Sequence, residues 1–428
     1  MRHGVGRALW ALAGSGVAML ALAGCVPQPP GGARPGVPQA EHALKLVPTP
    51  FDKVPGWRED RLAEALSAFL VNCRALGAMP AETPLGGAPE LAARAGAPAY
   101  WRPACEAAKT VPTGDDRAAR AFFEANFEAD AVTDVGANAN TDHADGLFTG
   151  YFDPEVPGSR SPGGKYRTPL LGRPGDLVQV DLGEFVDDLK GRAVVGRVQD
   201  GKLLPYYDRA QIEAGALARR RLELLWLADP VDAYFLQVQG SGRVDLPDGH
   251  VVRVTYAGQN GRHSVLIGKV LADRGDIPRD QLSLQSIRAW LLAHPDQVDN
   301  VLDQNPSYVF FREINDLRPD QGPPGALGVP LTPGRSVAVD RAFLPLGVPV
   351  FVATTDPVSN TPWRRLTMAQ DVGGAIRGPV RTDIFFGWGR DAEDRAGRMR
   401  QKGTEFVLLP KAPVPVASTA LPWTRAPG

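Results

Sequence analysis

Residues 370–389 read Gln370-Asp371-Val372-Gly373-Gly374-Ala375-Ile376-Arg377-Gly378-Pro379-Val380-Arg381-Thr382-Asp383-Ile384-Phe385-Phe386-Gly387-Trp388-Gly389. Two carboxylates, Asp371 and Asp383, flank a glycine-rich turn, and aromatics and glycines crowd the second. Such surroundings strip water from a carboxyl group and raise its pKa. A carboxyl that keeps its proton near neutrality can give it to a leaving oxygen. Aromatic faces nearby also suit sugar stacking. On composition alone a plainer reading weighs slightly more: both aspartates cap turns, and the glycines only permit tight backbone geometry.

Working outward, strand-like runs surround this segment. Ser336–Val339 and Val348–Val352 flank the turn Pro345-Leu346-Gly347, and Arg365–Gln370 and Phe406–Leu409 read as further strands. Upstream, Gly146–Phe152, Val194–Val198 and Ala233–Gln239 read as strands, and Val251–Tyr256 follows the hairpin signal Asp248-Gly249. Helical spacing of Leu62, Leu66, Phe69, Leu70 and Cys73 marks a helix over 59–73. Asp115 or Asp116 opens a second helix reaching Phe127, and 282–294 is a third. None of these helices carries a chemical motif. The chain holds 47 glycines and 40 prolines, which favours a mainly β fold with some helices over a helical bundle.

The 428 residues, 43% hydrophobic and 22% charged, can build a sizeable core. Net charge is −1 and Lys and Arg are spread along the chain rather than massed in a run, so nothing suggests an electrostatic footprint for nucleic acid. Six histidines form no HExxH motif, and no G-x-S-x-G elbow or Walker A loop occurs. The expectation is therefore no metal and no cofactor. At the start, Arg2 and Arg7 precede an apolar run from Ala8 to Gly24, and Leu22-Ala23-Gly24-Cys25 matches a lipobox. Residues 1–24 then form a lipoprotein signal peptide and Cys25 carries lipid. Val26 after the cysteine resembles lipoproteins of the Gram-negative outer membrane, with the protein on its periplasmic face. Residues 25–48 are a Pro/Gly-rich linker, flexible or extended, and 412–428 a disordered tail. Cys73 and Cys105 either pair or remain separate buried thiols.

Several stretches together carry a resemblance. They are Pro333 to Asp340, Pro345-Leu346-Gly347, Asp371 to Asp383, Gly387-Trp388-Gly389 and Ala396-Gly397. Upstream come Phe148 to Pro154, Gln237 to Gly242, Tyr256 to Gly261, Ile267 to Leu271 and Asn305 to Phe311. The chain from about 50 to 411 resembles the membrane-bound lytic murein transglycosylase A (MltA) family, with its C-terminal three-aspartate (3D) domain. The spacing from Asp371 to Asp383 is one residue longer than that family's.

The resemblance implies a double-psi β-barrel with a second β-domain inserted at 155–304. The barrel domain then takes 49–154 and 305–411, and the glycan lies in the groove between the domains. Asp340, Asp371 and Asp383 are the three aspartates. Asp383 matches the catalytic one, Asp371 a supporting one, and Asp340 a structural turn. Thr149, Tyr151, Gln237, Gln239, Ser241 and Asn260 fall in matching motifs and are candidate sugar contacts. The implied reaction cleaves the β-1,4 bond between N-acetylmuramic acid and N-acetylglucosamine of peptidoglycan. The muramyl C6 hydroxyl closes on C1 and leaves a 1,6-anhydro end. Partners would be the glycan strand, a membrane through the lipid, and cell-wall synthesis proteins. Two other readings stay open: a water-using glycoside hydrolase employing Asp371 and Asp383 together, and an expansin-like wall-binding protein without catalysis.

Overall fold

The computed structural model describes residues 42–135, 142–189 and 192–411. The signal peptide, the lipidation site Cys25 and the tail 412–428 lie outside the described residues. The chain enters as strand β1 (Ala43–Pro48), so the linker expected through 48 ends earlier. Leu44 and Leu46 alternate inward, which gives this short run one buried face. Helices α1 (Leu62–Ala78), α2 (Pro89–Ala95), α3 (Pro98–Ala108) and α4 (Asp116–Asn126) follow. Asp115 caps α4 by accepting from the Ala118 amide at 2.9 Å.

Strands β2 (Phe127–Val135), β3 (Asp142–His143) and β4 (Gly146–Asp153) precede a second set, β5 (Glu155–Ser159) and β6 (Thr168–Leu171). Next come β7 (Val178–Asp181), β8 (Ala193–Gln199) and β9 (Lys202–Pro205), a small antiparallel sheet of their own. Helix α5 (Arg209–Gln211) leads to β10 (Glu223–Leu227), α6 (Pro230–Gln239), β11 (Ser241–Asp245) and β12 (Val251–Gln259). Helices α7 (Ile267–Arg274), α8 (Leu284–Ala293) and α9 (Val298–Leu302) precede β13 (Val309–Ile314). The chain finishes with β14 (Ser336–Val339), β15 (Pro349–Thr355), β16 (Pro362–Asp371), β17 (Arg381–Trp388), α10 (Gly389–Arg398) and β18 (Arg400–Pro410).

Two sheets dominate. In the first, β18, β15, β16, β14, β17 and β4 pair in that order, and β18 also pairs with β4. These six strands therefore close into a barrel, which removes exposed edges. Two of its pairs are parallel, β14 with β16 and β17 with β4. The second sheet runs β13-β12-β11-β5-β10-β6. A bridge between Gly172 and Phe311 brings its two edges together. The architecture is mixed α/β, with more helix than the glycine and proline content implied.

Residues 233–239, expected as a strand, lie in α6. Asp229 caps this helix by accepting from Val231 N at 2.8 Å, Pro230 fills the first turn, and Gly240 ends it at φ +81°. The run looked like a strand because the helix is buried on most sides, so no polar stripe marks its period. Conversely, Arg381–Trp388, the segment around the second aspartate beyond the glycine-rich turn, forms the strand β17.

The helical layer packs on the barrel through aromatic rings. Phe69 meets Phe122, Phe123 and Phe127 at centroid distances of 5.8, 5.9 and 5.5 Å. The same core continues into Val350, Phe351 and Leu366 of the barrel. Each fully buried ring of this kind contributes about 2–3 kcal/mol. Cys73 and Cys105 form a disulfide that joins α1 to α3, with Cα atoms 5.6 Å apart. Arg335, just before β14, reaches α1 instead of solvent. It pairs with Asp60 at 2.9 Å and Glu64 at 3.0 Å, and donates to the Leu366 carbonyl.

Candidate active site

The barrel topology brings the two aspartates to one level. Ala338 on β14 lies opposite Asp371 of β16 on one side and opposite Asp383 of β17 on the other. Their backbones are thus two strand spacings apart, roughly 10 Å. β4 lies beyond β17 in parallel register, with Thr149 opposite Asp383 and Tyr151 opposite Phe385. Parallel strands place these side chains side by side although 234 residues separate Thr149 from Asp383.

Asp383 has no exposed surface, and its Oδ1 accepts from the Thr149 hydroxyl at 2.6 Å. Asp371 is held by three donors. Its Oδ1 accepts from the amides of Ala326 at 3.0 Å and Val372 at 2.9 Å, and its Oδ2 from the Tyr151 hydroxyl at 3.0 Å. Burial pushes the Asp371 carboxyl up to about 6. The three hydrogen bonds pull it down, and the neighbouring Asp383 charge adds a smaller push upward. The Tyr151 ring packs on Phe385 at 5.2 Å, which fixes the direction of its hydroxyl.

Asp340 does different work. Its oxygens accept from the amides of Ala342 at 3.1 Å and Gly378 at 3.0 Å. It therefore ties the loop between Asp371 and Asp383 to the end of β14.

The remaining predicted residues divide into two groups. Gln239 and Ser241 join the barrel at the end of β4. Gln239 Oε1 accepts from the Phe152 amide at 3.3 Å, and the Ser241 hydroxyl donates to Asp153 at 2.7 Å. Gln237 and Asn260 do not join the aspartates. Gln237 accepts from Arg209 at 2.7 Å. The Asn260 amide donates to the carbonyls of Tyr207 and Pro306 and accepts from Tyr308 N at 3.0 Å, with no exposed surface. Its donors and acceptor are already committed to the protein, so it braces loops around β13.

Sequence reading missed Asp153 and Arg243, which form a buried ion pair at 3.2 Å beside Ser241. The Arg243 guanidinium also stacks 3.7 Å from the Trp388 ring centroid. This pair ties the second sheet to the strand that carries Asp383. The adjacency of Asp153 to the motif around Thr149 and Tyr151 was the available signal. A cavity of about 870 Å³ lies apart from the aspartates, lined by Arg173, Arg221, Tyr256, Phe311 and Arg312 among others.

Comparison with known proteins agrees with this geometry. The "MltA specific insert domain" family matches residues 147–312, and the "3D domain" family matches 335–409. A membrane-bound lytic murein transglycosylase A of Vibrio cholerae is 32% identical over 291 residues, 66% of this chain and 69% of that protein. A membrane-bound lytic murein transglycosylase from Agrobacterium tumefaciens, solved by crystallography, is 33% identical with a TM-score of 0.74. That match covers 86% of this chain and 98% of the other. Escherichia coli MltA, crystallised with bound chitohexaose, is 26% identical with a TM-score of 0.58, covering 91% and 96% of the two chains. The closed barrel, the inserted second sheet and the two matched families place this chain in the membrane-bound lytic murein transglycosylase A family.

Proposed function

We propose that this protein is a lytic transglycosylase that cleaves the β-1,4 bond between N-acetylmuramic acid and N-acetylglucosamine, leaving 1,6-anhydromuramic ends. Asp383 donates a proton to the leaving glycosidic oxygen. The same carboxylate then accepts the proton of the C6 hydroxyl as that oxygen closes on C1. The nucleophile already belongs to the substrate, so its effective concentration is high.

One observation carries the single-acid reading. Asp371 already accepts from two amides and the Tyr151 hydroxyl, which hold it in a supporting position and leave it poorly placed to activate a water. A water-using glycosidase needs a second carboxylate free for that purpose. In this reading Asp371 supports Asp383 electrostatically, since like charges resist sharing one site. Thr149 and Tyr151 border the reacting bond, and Gln239 and Ser241 line the approach along β4. Gln237 and Asn260 act from behind, by holding the second sheet in shape.

Family relatives support the substrate class, since the E. coli member binds a chito-oligosaccharide. The two parallel pairs support a barrel of the double-psi kind, with the insert spanning 155–304 between barrel segments 49–154 and 305–411. We further infer a lipid anchor at Cys25 on the periplasmic face of the outer membrane, close to cell-wall synthesis proteins. Among the described residues no helix is long and apolar enough to cross a membrane. The test is Asp383→Asn. Release of muropeptides from purified murein should stop while chitohexaose binding persists. Retained turnover would remove Asp383 from this role.

A further inference from the structure

A second charged layer lies behind the Thr149–Asp383 contact. Arg381 sits two residues before Asp383 on β17, so both side chains leave the same face of the strand. The Arg381 side chain is buried, at 8% exposure. Its Nη1 donates to Thr149 Oγ1 at 3.0 Å, and to the carbonyls of Thr382 at 3.0 Å and Leu147 at 3.3 Å. Its Nη2 is buried with no hydrogen-bond partner. A buried, incompletely paired guanidinium costs stability. Packing alone therefore gives no reason for it. Its nearby counter-charge is Glu405 on β18, which has no exposed surface and feels the Arg381 charge.

The hydrogen-bond inventory of Thr149 makes this arrangement directional. A hydroxyl has one proton to give and lone pairs to receive. Arg381 has only donors, so it must occupy the Thr149 oxygen as an acceptor. The hydroxyl proton then points at Asp383 Oδ1, 2.6 Å away. One lone pair remains on Thr149, but spending it on a protonated Oδ1 would cost the hydroxyl proton this acceptor, so the arrangement favours Oδ1 as the acceptor. A proton carried by Asp383 is then favoured on the other oxygen, Oδ2. Without Arg381 the contact can reverse, with Oδ1 protonated and donating to Thr149, which turns the acid's proton away from its work.

We propose that Arg381 is a positioning residue for Asp383, acting through Thr149, and that it keeps the acid's proton on Oδ2. This rests on Asp383 being the acid. The experiment uses the full chain, purified, with murein as substrate, and follows kcat, KM and the pH profile of kcat. Arg381→Met should lower kcat about tenfold or more with KM changed less than about twofold. The basic limb of the profile should move upward, because a cation and a fixed donor have both left the carboxylate. Thr149→Val should reproduce both effects, and the double variant should be no worse than either single one, because the two residues act as one unit. Arg381→Lys, which keeps the charge and a donor, should recover part of kcat. Independent, multiplicative losses in the double variant would overturn the relay. So would an unmoved pH limb in Arg381→Met or, if that variant does not fold, in Thr149→Val. Turnover by Asp383→Asn would overturn both this inference and the reading beneath it, and only that result reaches the latter.

Discussion

Replacing Glu405 by glutamine should stabilise the protein at alkaline pH and leave it unchanged at acidic pH. Glu405 lies on β18 inside the barrel wall with no exposed surface, and its Oε2 accepts from the Thr382 hydroxyl at 2.6 Å. Burial pushes its carboxyl from 4.5 up to about 7, against the pull of Thr382 and the Arg381 charge. The folded state therefore holds this proton more tightly than the unfolded chain. The stability it contributes is full below about 4.5 and is lost as pH rises through about 7. The gap between those two values corresponds to about 3 kcal/mol. Glutamine keeps the shape and the oxygen for Thr382 but cannot ionise. It also leaves Arg381 without its counter-charge, which offsets part of the gain. The net expectation is about 1–3 kcal/mol of added stability at pH 8 and close to none at pH 5. Urea unfolding at the two pH values measures this directly. An equal change at both, or a loss at pH 8, would refute the reasoning.

Three further outcomes follow from other parts of the fold. Cys73→Ser opens a loop spanning 32 residues and should cost roughly 3–4 kcal/mol in urea unfolding under oxidising conditions, with no effect once both proteins are reduced. Arg335→Met strands the buried Asp60 carboxylate and should cost about 3–5 kcal/mol by the same measurement. Tyr151→Phe removes one donor from Asp371. The carboxyl, already at about 6, should rise by roughly one unit or more. A raised folded value means stability is lost as pH climbs through it. The fall in melting temperature expected near pH 6 for the native chain should therefore move toward pH 7 in the variant.

The motif around Asp371 and Asp383 was visible in the sequence, but its backbone form was not. Gly373, Gly374 and Gly378 drew attention to a turn, while Arg381–Trp388 forms a strand that closes the barrel. The alternation that betrays a strand is blurred there, because residues 381–385 are buried on both faces. The same double burial hid helix α6 behind the aromatic and β-branched residues at 231–238. Thr149 and Tyr151 were legible as motif residues, whereas their hydroxyl partners depended on the parallel pairing of β4 with β17. Arg381 and Glu405 were not legible at all. Arg381 lies in the quoted segment without a chemical signal of its own and Glu405 lies outside every motif, and only closure of the barrel brings them into each other's field. The disulfide was undecidable for the same reason, since it depends on α1 and α3 packing side by side.

Mass analysis of the products released from purified murein tests the central claim most directly. The account predicts muropeptides ending in 1,6-anhydromuramic acid, with no incorporation of solvent oxygen when the digestion runs in labelled water. Reducing-end products carrying the label would contradict it, and would make Asp371 and Asp383 a water-using pair.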